Sequence, residues 1–312
     1  MSIQNAKDAR RYVVISPCRN EADFMRRTLD SMIAQTLLPA LWVIVDDGST
    51  DETPQILSEY AAAHDWISVV SKPDRGHRAV GPGVIEAFYF GLDAISLGDF
   101  DYLCKLDLDL DLPPRYFEIL VDRMEADPLL GTCSGKAYFR NAAGVLQSEG
   151  IGDEMSLGMT KFYSVACFED IGGFVREVMW DGIDCHKARQ LGWTPVSWDD
   201  IELRFEHLRA MGSSQQNVLK GRRRHGFGQY FMGTHPVYMI ASAINKMRQP
   251  PLVIGGVMML AGYVDAWLRG TRRLDDAELV AFIRNYQLKA LTRGKKRAIA
   301  EIEARQRVQS PS

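Results

Sequence analysis

Three signatures are missing from this 312-residue chain, and each absence removes a class of function. The longest apolar run extends from Leu252 only to Val264 before Asp265 interrupts it, short of the roughly 20 residues needed to span a bilayer. No strand-like segment is followed by G-x-G-x-x-G, and no G-x-x-x-x-G-K-[ST] occurs, so the dinucleotide fingerprint and the phosphate-binding P-loop are both lacking. "GHRAVGPG" (76 to 83) is Gly-rich but matches neither pattern. The five cysteines, Cys18, Cys104, Cys133, Cys167 and Cys185, include no C-x-x-C pair. An odd, widely spaced set reads as buried thiols in a reducing compartment rather than a disulfide frame or zinc site. The polar start, MSIQNAKDARR, has no apolar signal-peptide core, so the expected location is cytoplasmic.

Charge is present in ordinary amount but unevenly placed. Residues 201 to 312 carry 19 Lys and Arg against 8 Asp and Glu, whereas residues 1 to 200 carry 18 against 32. Such a division points to two surfaces with different partners: an anionic membrane, a phosphorylated ligand or a nucleic acid would suit the basic half.

The first half alternates strand and helix patterns. Short apolar strands are predicted at 12 to 17, 41 to 47 and 67 to 72, and "DYLCKLDLDLD" reads as a fourth strand reaching Asp111. Helical spacing fills 21 to 35, 49 to 64 and 81 to 96, the second of these opening with a capping pattern in "STDE". This order makes a mostly parallel sheet flanked by helices, whose ligands sit beyond the carboxyl ends of the strands. Arg19, Asn20 and Glu21, then Asp46 and Asp47, then Asp107 to Asp111 all fall at such ends. Residues 129 to 210 give shorter pieces, with a helix near 181 to 191, and the chain is helical from about Met232 onward.

"YLCKLDLDLDLPPRYF" (102 to 117) places Asp107, Asp109 and Asp111 on one strand face, with Leu106, Leu108 and Leu110 on the other. Like charges in register repel unless a cation joins them, and Mg²⁺ or Mn²⁺ binds one or two carboxylates together with substrate phosphates. With no phosphate loop in the chain, a divalent ion between carboxylates is the expected alternative.

Taken together, these residues resemble the family 2 glycosyltransferases, inverting enzymes of the A-type nucleotide-sugar fold. The resemblance rests on "SPCRNEA" (16 to 22), "VIVDDGSTDET" (43 to 53), "KLDLDLDLPPRYF" (105 to 117), "IGGF" (171 to 174) and "WDGIDCHKARQLGW" (180 to 193), and covers roughly residues 10 to 210. It implies a catalytic domain over 1 to 228, with a Rossmann-like nucleotide half (10 to 125) and an acceptor half (126 to 228), followed by a helical, basic extension (229 to 312). Pro17, Arg19, Glu21, Asp46, Asp47, Arg78 and Asp107 are the nucleotide-binding residues so implied, Asp107 and Asp109 the metal ligands, and His207 a further ligand. The general base that takes the acceptor's proton is Asp181 or, because Trp180 stands where the family has Glu, Asp184. Arg222 and Arg224 are candidates for the leaving diphosphate. The partners implied are a nucleotide-sugar donor, UDP-linked by preference, and a saccharide or polyprenyl-diphosphate-linked acceptor, with no nucleic acid. A sugar-phosphate nucleotidyltransferase is the competing enzyme, disfavoured by the missing Gly-rich loop after the first strand. A non-catalytic scaffold of the same fold is the competing binding protein.

In the extension, "PPLVIGGVMMLAGYVDAWLRG" (250 to 270) reads as a buried helix, with an interfacial helix as the other reading. Arg269, Arg272 and Arg273 follow it, and the tail adds Lys289, Arg293, Lys295, Lys296 and Arg297. Cations beside an apolar helix suit the anionic inner face of a cytoplasmic membrane, so peripheral docking there is expected.

Overall fold

The structure, a computed structural model, describes residues 10–73, 81–141, 143–209 and 218–309. It resolves two compact units, one of residues 1–176 and 193–210, the other of 177–192 and 211–312. The segment 177–192, placed in the catalytic half by sequence, therefore counts with the C-terminal helices.

The first unit opens with β1 (Tyr12–Cys18), α1 (Met25–Ile33), β2 (Leu41–Asp46), α2 (Thr53–Ala63), β3 (Ile67–Ser71), α3 (Pro82–Leu92) and β4 (Tyr102–Leu106). It continues with β5 (Leu110–Asp111), α4 (Tyr116–Ala126), β6 (Leu130–Ser134), β7 (Lys136–Arg140), β8 (Leu146–Ser148), β9 (Thr160–Ser164) and α5 (Val165–Asp170). After the segment that forms α6 (Trp180–Gln190) in the second unit, the chain returns with β10 (Thr194–Ser197) and β11 (Arg204–His207).

The expected mostly parallel sheet is present. Seven strands run in the order β10-β6-β9-β4-β1-β2-β3, and only β9 is antiparallel to its neighbours. The apolar strand β1 is buried at every position but Pro17, as a sheet covered on both faces requires. Tyr12, Phe117 and Phe162 meet in the core with ring centroids 5.0 to 5.7 Å apart. Gly91 of α3 lies so close to the sheet that a Cβ there would come within 2.7 Å of Val45 and 2.9 Å of Ile15. A smaller sheet, β5-β11-β7-β8, forms beside it in the same unit.

Two local expectations change. The fourth strand does not run to Asp111: β4 ends at Leu106, the chain bends through Asp107 to Asp109, and β5 joins the small sheet by pairing with β11. The alternation of burial survives the bend, because Leu106, Leu108, Leu110 and Leu112 all pack into the core. The capping pattern before α2 is used otherwise. Ser49 Oγ accepts the Asn20 N–H, Asp51 carboxylate oxygens accept from Ala22 and Thr53, and Thr53 Oγ1 accepts from Glu21. Three of those bonds tie the loop after β2 to the loop after β1, and the Asp51–Thr53 bond satisfies the N–H of the first residue of α2.

The second unit holds α6 and then α7 (Val218–Phe231), α8 (Pro236–Lys246), α9 (Ile254–Leu268), α10 (Ala277–Arg293) and α11 (Lys295–Gln309). Its helices approach through glycine: a Cβ on Gly226 of α7 would come within 1.9 Å of the Met259 carbonyl, and one on Gly262 within 2.0 Å of the Arg223 carbonyl. The helix read as buried is only half so. Gly255, Gly256, Met259, Gly262 and Ala266 face inward, while Ile254, Val257, Val264 and Leu268 remain 42% to 74% exposed. His186, read as a helix-surface residue, is instead buried on α6 against the Tyr286 ring, 5.3 Å between centroids. Among the described residues no helix is long and apolar enough to cross a membrane.

Candidate active site

The strand order fixes where the first unit can bind. Succession from β1 to β2 to β3 proceeds to one side, whereas β4 lies on the other side of β1. This reversal opens a crevice at the carboxyl ends of β1 and β4, the place where open α/β sheets bind ligands. Pro17, Arg19 and Glu21 stand at or just past the end of β1, Asp46 and Asp47 at the end of β2, and Asp107 and Asp109 just past β4.

Asp46 and Asp47 are both buried. Asp46 Oδ1 accepts the Ser49 N–H at 2.9 Å, Asp47 Oδ1 lies 3.2 Å from Lys72 Nζ, and Arg19 donates to the Asp47 carbonyl at 2.5 Å. The turn that carries these carboxylates is thus held on both sides. Asn20, at φ 55°, occupies the left-handed region, where its Oδ1 accepts the Thr50 N–H at 2.8 Å.

A charge cluster links β1, β4 and β11. Asp109 Oδ2 lies 3.1 Å from Arg209 Nε and 3.6 Å from His207 Nε2, and Arg209 also pairs with Glu21. His207 Nδ1 lies 2.7 Å from Glu149 Oε1, while Glu149 Oε2 is buried with no hydrogen-bond partner among the described residues. Asp107 pairs with Lys105, whose Nζ also donates to the Gly158 carbonyl at 2.9 Å. The backbone ties the pieces together: Leu208 donates to the Asp109 carbonyl at 2.8 Å and Asp107 to the Met159 carbonyl at 2.8 Å. Asp111 sits apart from these contacts and pairs with Arg27.

The electrostatics separate the two carboxylates. Burial, reinforced by Asp109, outweighs Lys105 and pushes the Asp107 carboxyl above its ordinary value. Burial pushes Asp109 up as well, but His207 and Arg209 prevail and hold it below the usual range. Burial alone would lower His207, yet its bonds to Asp109 and Glu149 raise it to about 9, so it is a cation at neutral pH.

The donor set suits a hard divalent ion in part. Two carboxylates two residues apart are what Mg²⁺ and Mn²⁺ take when substrate phosphates complete the shell. A buried carboxylate on the far nitrogen of His207 is the partner that orients a ligating imidazole. Among the described residues, however, no three His, Cys, Asp or Glu side chains converge to hold an ion alone, and Arg209 and Lys105 neutralise the two aspartates. An ion held by Asp107 and Asp109 therefore needs phosphate oxygens beside it and Arg209 turned away.

The remaining sequence candidates fall elsewhere. Asp181 lies in the first turn of α6, partly exposed; Asp184, one turn on, is 2% exposed and accepts its neighbour Cys185's N–H at 2.6 Å. Arg222 and Arg224 belong to α7 in the second unit, where burial lowers both guanidinium groups from their ordinary value. Arg78 lies outside the described residues. Arg209, Glu149 and Lys105 were missed from sequence. Lys105 carried a signal, a charge inside an apolar strand on the same parity as Asp107, and Arg209 another, two residues past His207. Glu149 carried none, since its partner lies 58 residues away in sequence.

Residues 13–144 match glycosyl transferase family 2. The chain is 28% identical over 132 residues to the poly-β-1,6-N-acetyl-D-glucosamine synthase of Staphylococcus aureus strain MSSA476, covering 41% of this chain and 29% of that protein. The Staphylococcus epidermidis synthase is 26% identical over 130 residues, with the same coverage. The chain spans about 29% of the length of these curated relatives. Among solved structures, S. aureus TarS 1–349 superposes with a TM-score of 0.51 at 16% identity, covering 96% of this chain and 92% of that one. GalNAc-T7 with UDP, GalNAc and Mn²⁺ gives 0.55 at 14% identity, covering 92% and 58%. Residues 13–144 are thus similar to glycosyl transferase family 2, and the fold is the α/β architecture shared with S. aureus TarS.

Proposed function

We propose that the chain transfers a sugar from a nucleotide-sugar donor, UDP-linked by preference, to a hydroxyl of a saccharide or lipid-linked acceptor, with inversion at the anomeric carbon. The observation that carries this reading is the meeting of Glu21, Asp109, His207 and Arg209 at the switch point between β1 and β4, beside the buried Asp46 and Asp47. A crevice with fixed carboxylates for a base and ribose, and cations for a diphosphate, suits a nucleotide sugar. Relatives that are poly-β-1,6-N-acetyl-D-glucosamine synthases make UDP-N-acetylglucosamine the first donor to try.

In this reading, Arg19, Pro17, Asp46 and Asp47 line the base and ribose pocket, and Asp107 faces the ribose or metal. Mg²⁺ or Mn²⁺, held by Asp107 and Asp109 with His207 near, supplies neutralisation of the diphosphate charge when bound. Arg209, released from Asp109, is a second positive group for the leaving diphosphate. The acceptor oxygen forms its bond to the anomeric carbon as the bond from that carbon to the phosphate oxygen breaks; the hydroxyl proton goes to Asp181, and the nucleoside diphosphate departs with the bonding pair. Asp181 is preferred to Asp184 because it is partly exposed, whereas Asp184 is packed into its own helix. The chain works at the cytoplasmic side of a membrane, as a peripheral protein.

The test is a screen of UDP-, GDP- and dTDP-sugars for thermal stabilisation with Mn²⁺, Mg²⁺ or chelator, followed by product analysis with the best donor. Metal-dependent stabilisation by one nucleotide sugar, with release of its nucleoside diphosphate, is expected. Stabilisation by a nucleoside triphosphate and a sugar phosphate instead would overturn it in favour of nucleotidyl transfer.

A further inference from the structure

The second unit contains a cavity that the transfer reaction does not use. Where α7 and α9 touch through Gly226 and Gly262, a space of about 360 Å³ opens beside the contact. Lys220, Arg223, Arg224 and Phe227, spaced as one face of α7, line one side, and Asp265 and Arg269 of α9 line the other. Four cations thus share one carboxylate. Asp265 pairs with Arg223 at 3.0 Å and Arg269 at 2.8 Å. Lys220 has no ion pair among the described residues, and Arg224 Nη1 is buried without a hydrogen-bond partner. A buried guanidinium nitrogen with nothing to donate to is costly, and an anion is what removes the cost.

The outer face of the same α9 is apolar. Ile254, Val257, Ala261, Val264 and Leu268 recur at helical spacing on its exposed side, and Trp267 beside them is 60% exposed. Leu252 and Val253 extend the apolar surface into the preceding loop, both more than half exposed. Cations stand at both ends: Lys246 and Arg248 before it, Arg269, Arg272 and Arg273 after it. From Pro236 to Leu274 the only carboxylate is Asp265, already paired with two arginines. An exposed apolar stripe of this kind marks an interaction surface. A second copy of the chain would set these cations against one another, whereas an anionic bilayer offers hydrocarbon for the stripe and phosphate for the cations.

We propose that the cavity between α7 and α9 binds the phosphate of an anionic membrane lipid, while the exposed stripe of α9 lies in the bilayer interface. The site goes beyond the sugar-transfer reading, and Arg224 acts here on a lipid phosphate rather than on the nucleotide.

The experiment is sedimentation of the full chain with phosphatidylcholine vesicles, with and without phosphatidylglycerol, at physiological salt. Binding is expected only with phosphatidylglycerol, and Lys220→Gln with Arg224→Gln should weaken it about tenfold or more. Leu268→Ser should weaken it by several fold without altering the lipid preference. Should the double variant misfold, quenching of Trp fluorescence by brominated lipid in the wild-type chain, lost in Trp267→Phe, reads the docking directly. Equal binding to both vesicle types, no binding to either, or unchanged binding by a folded double variant would overturn the proposal. Protection by inorganic pyrophosphate with no vesicle binding would also overturn it, by making the cavity a site for soluble anions. None of these readouts involves sugar transfer, so their failure leaves the reading of the donor crevice untouched.

Discussion

Two charged regions of this molecule have opposite balances. At the β1/β4 crevice, Glu21, Asp107, Asp109 and Glu149 are set against Lys105, His207 and Arg209, and contacts between opposite charges satisfy most of the cluster. In the cavity between α7 and α9, Lys220, Arg223, Arg224 and Arg269 share Asp265 alone. A compensated cluster can exchange an internal cation for an external one at small net cost, because each carboxylate keeps a partner throughout. In the second cluster Asp265 pairs with Arg223 and Arg269, which leaves Lys220 and Arg224 as the groups that an anion would meet. The first region is therefore suited to a ligand that brings both metal and phosphate, the second to phosphate alone.

The comparison is sharpened most by Asp181→Asn. If Asp181 is the proton acceptor, as proposed, transfer should fall by about 10²- to 10⁴-fold while nucleotide-sugar stabilisation persists. Parallel measurement of turnover and donor-dependent melting checks this, and loss of both together would remove Asp181 as the base.

Asp109→Ala strikes the compensated cluster itself. It leaves Arg209 and His207 without their shared carboxylate and should cost about 3–5 kcal/mol of stability, abolishing the metal-dependent component of nucleotide binding. Chemical denaturation and a metal-dependent melting shift read the two effects separately; nucleotide binding that still responds to Mn²⁺ would transfer the ligand role elsewhere.

Arg209→Met tests the exchange of cations. Stability should drop by about 1–3 kcal/mol while affinity for Mn²⁺ without nucleotide rises about tenfold, because Asp109 loses its resident partner. Paramagnetic resonance of free Mn²⁺ measures this, and weaker Mn²⁺ binding in the variant breaks the idea that Arg209 competes with the ion.

The smallest effect is a pH dependence. His207 is raised to about 9, so in chelator-treated protein its contribution is fully present below its unfolded value near 6.5 and is lost as pH rises through about 9. That contribution is roughly 1–3 kcal/mol. Denaturation of wild type and His207→Gln from pH 6 to pH 10 should show the difference between them closing toward the alkaline end, and a constant difference would remove His207 from the cluster's charge balance.

Much of the first unit was legible from local pattern. Strands β1 to β4 and helices α1 to α3 followed from period and spacing, since each is buried or amphipathic in its own right. The candidate carboxylates were found because polar residues at the ends of apolar strands stand out. The bend after Leu106 was not legible: the leucine and aspartate alternation through Leu112 is that of one strand, and only pairing of β5 with β11, some hundred residues on, shows the break. The half-exposed α9 was misread for a related reason. A helix apolar all round reads as buried, and whether neighbours cover both faces is a property of packing.

The sequence by itself determined the sheet, a resemblance to a known family and the aspartates at the strand ends, because side-chain period and motif spacing are local quantities. Tertiary structure alone decided which cation each aspartate meets, placing Arg209 on Asp109 and Glu149 on His207, and setting a buried Arg224 nitrogen beside the cavity between α7 and α9. Charge acts over a few ångströms of space whatever the separation along the chain, so compensation and its absence become visible only after folding.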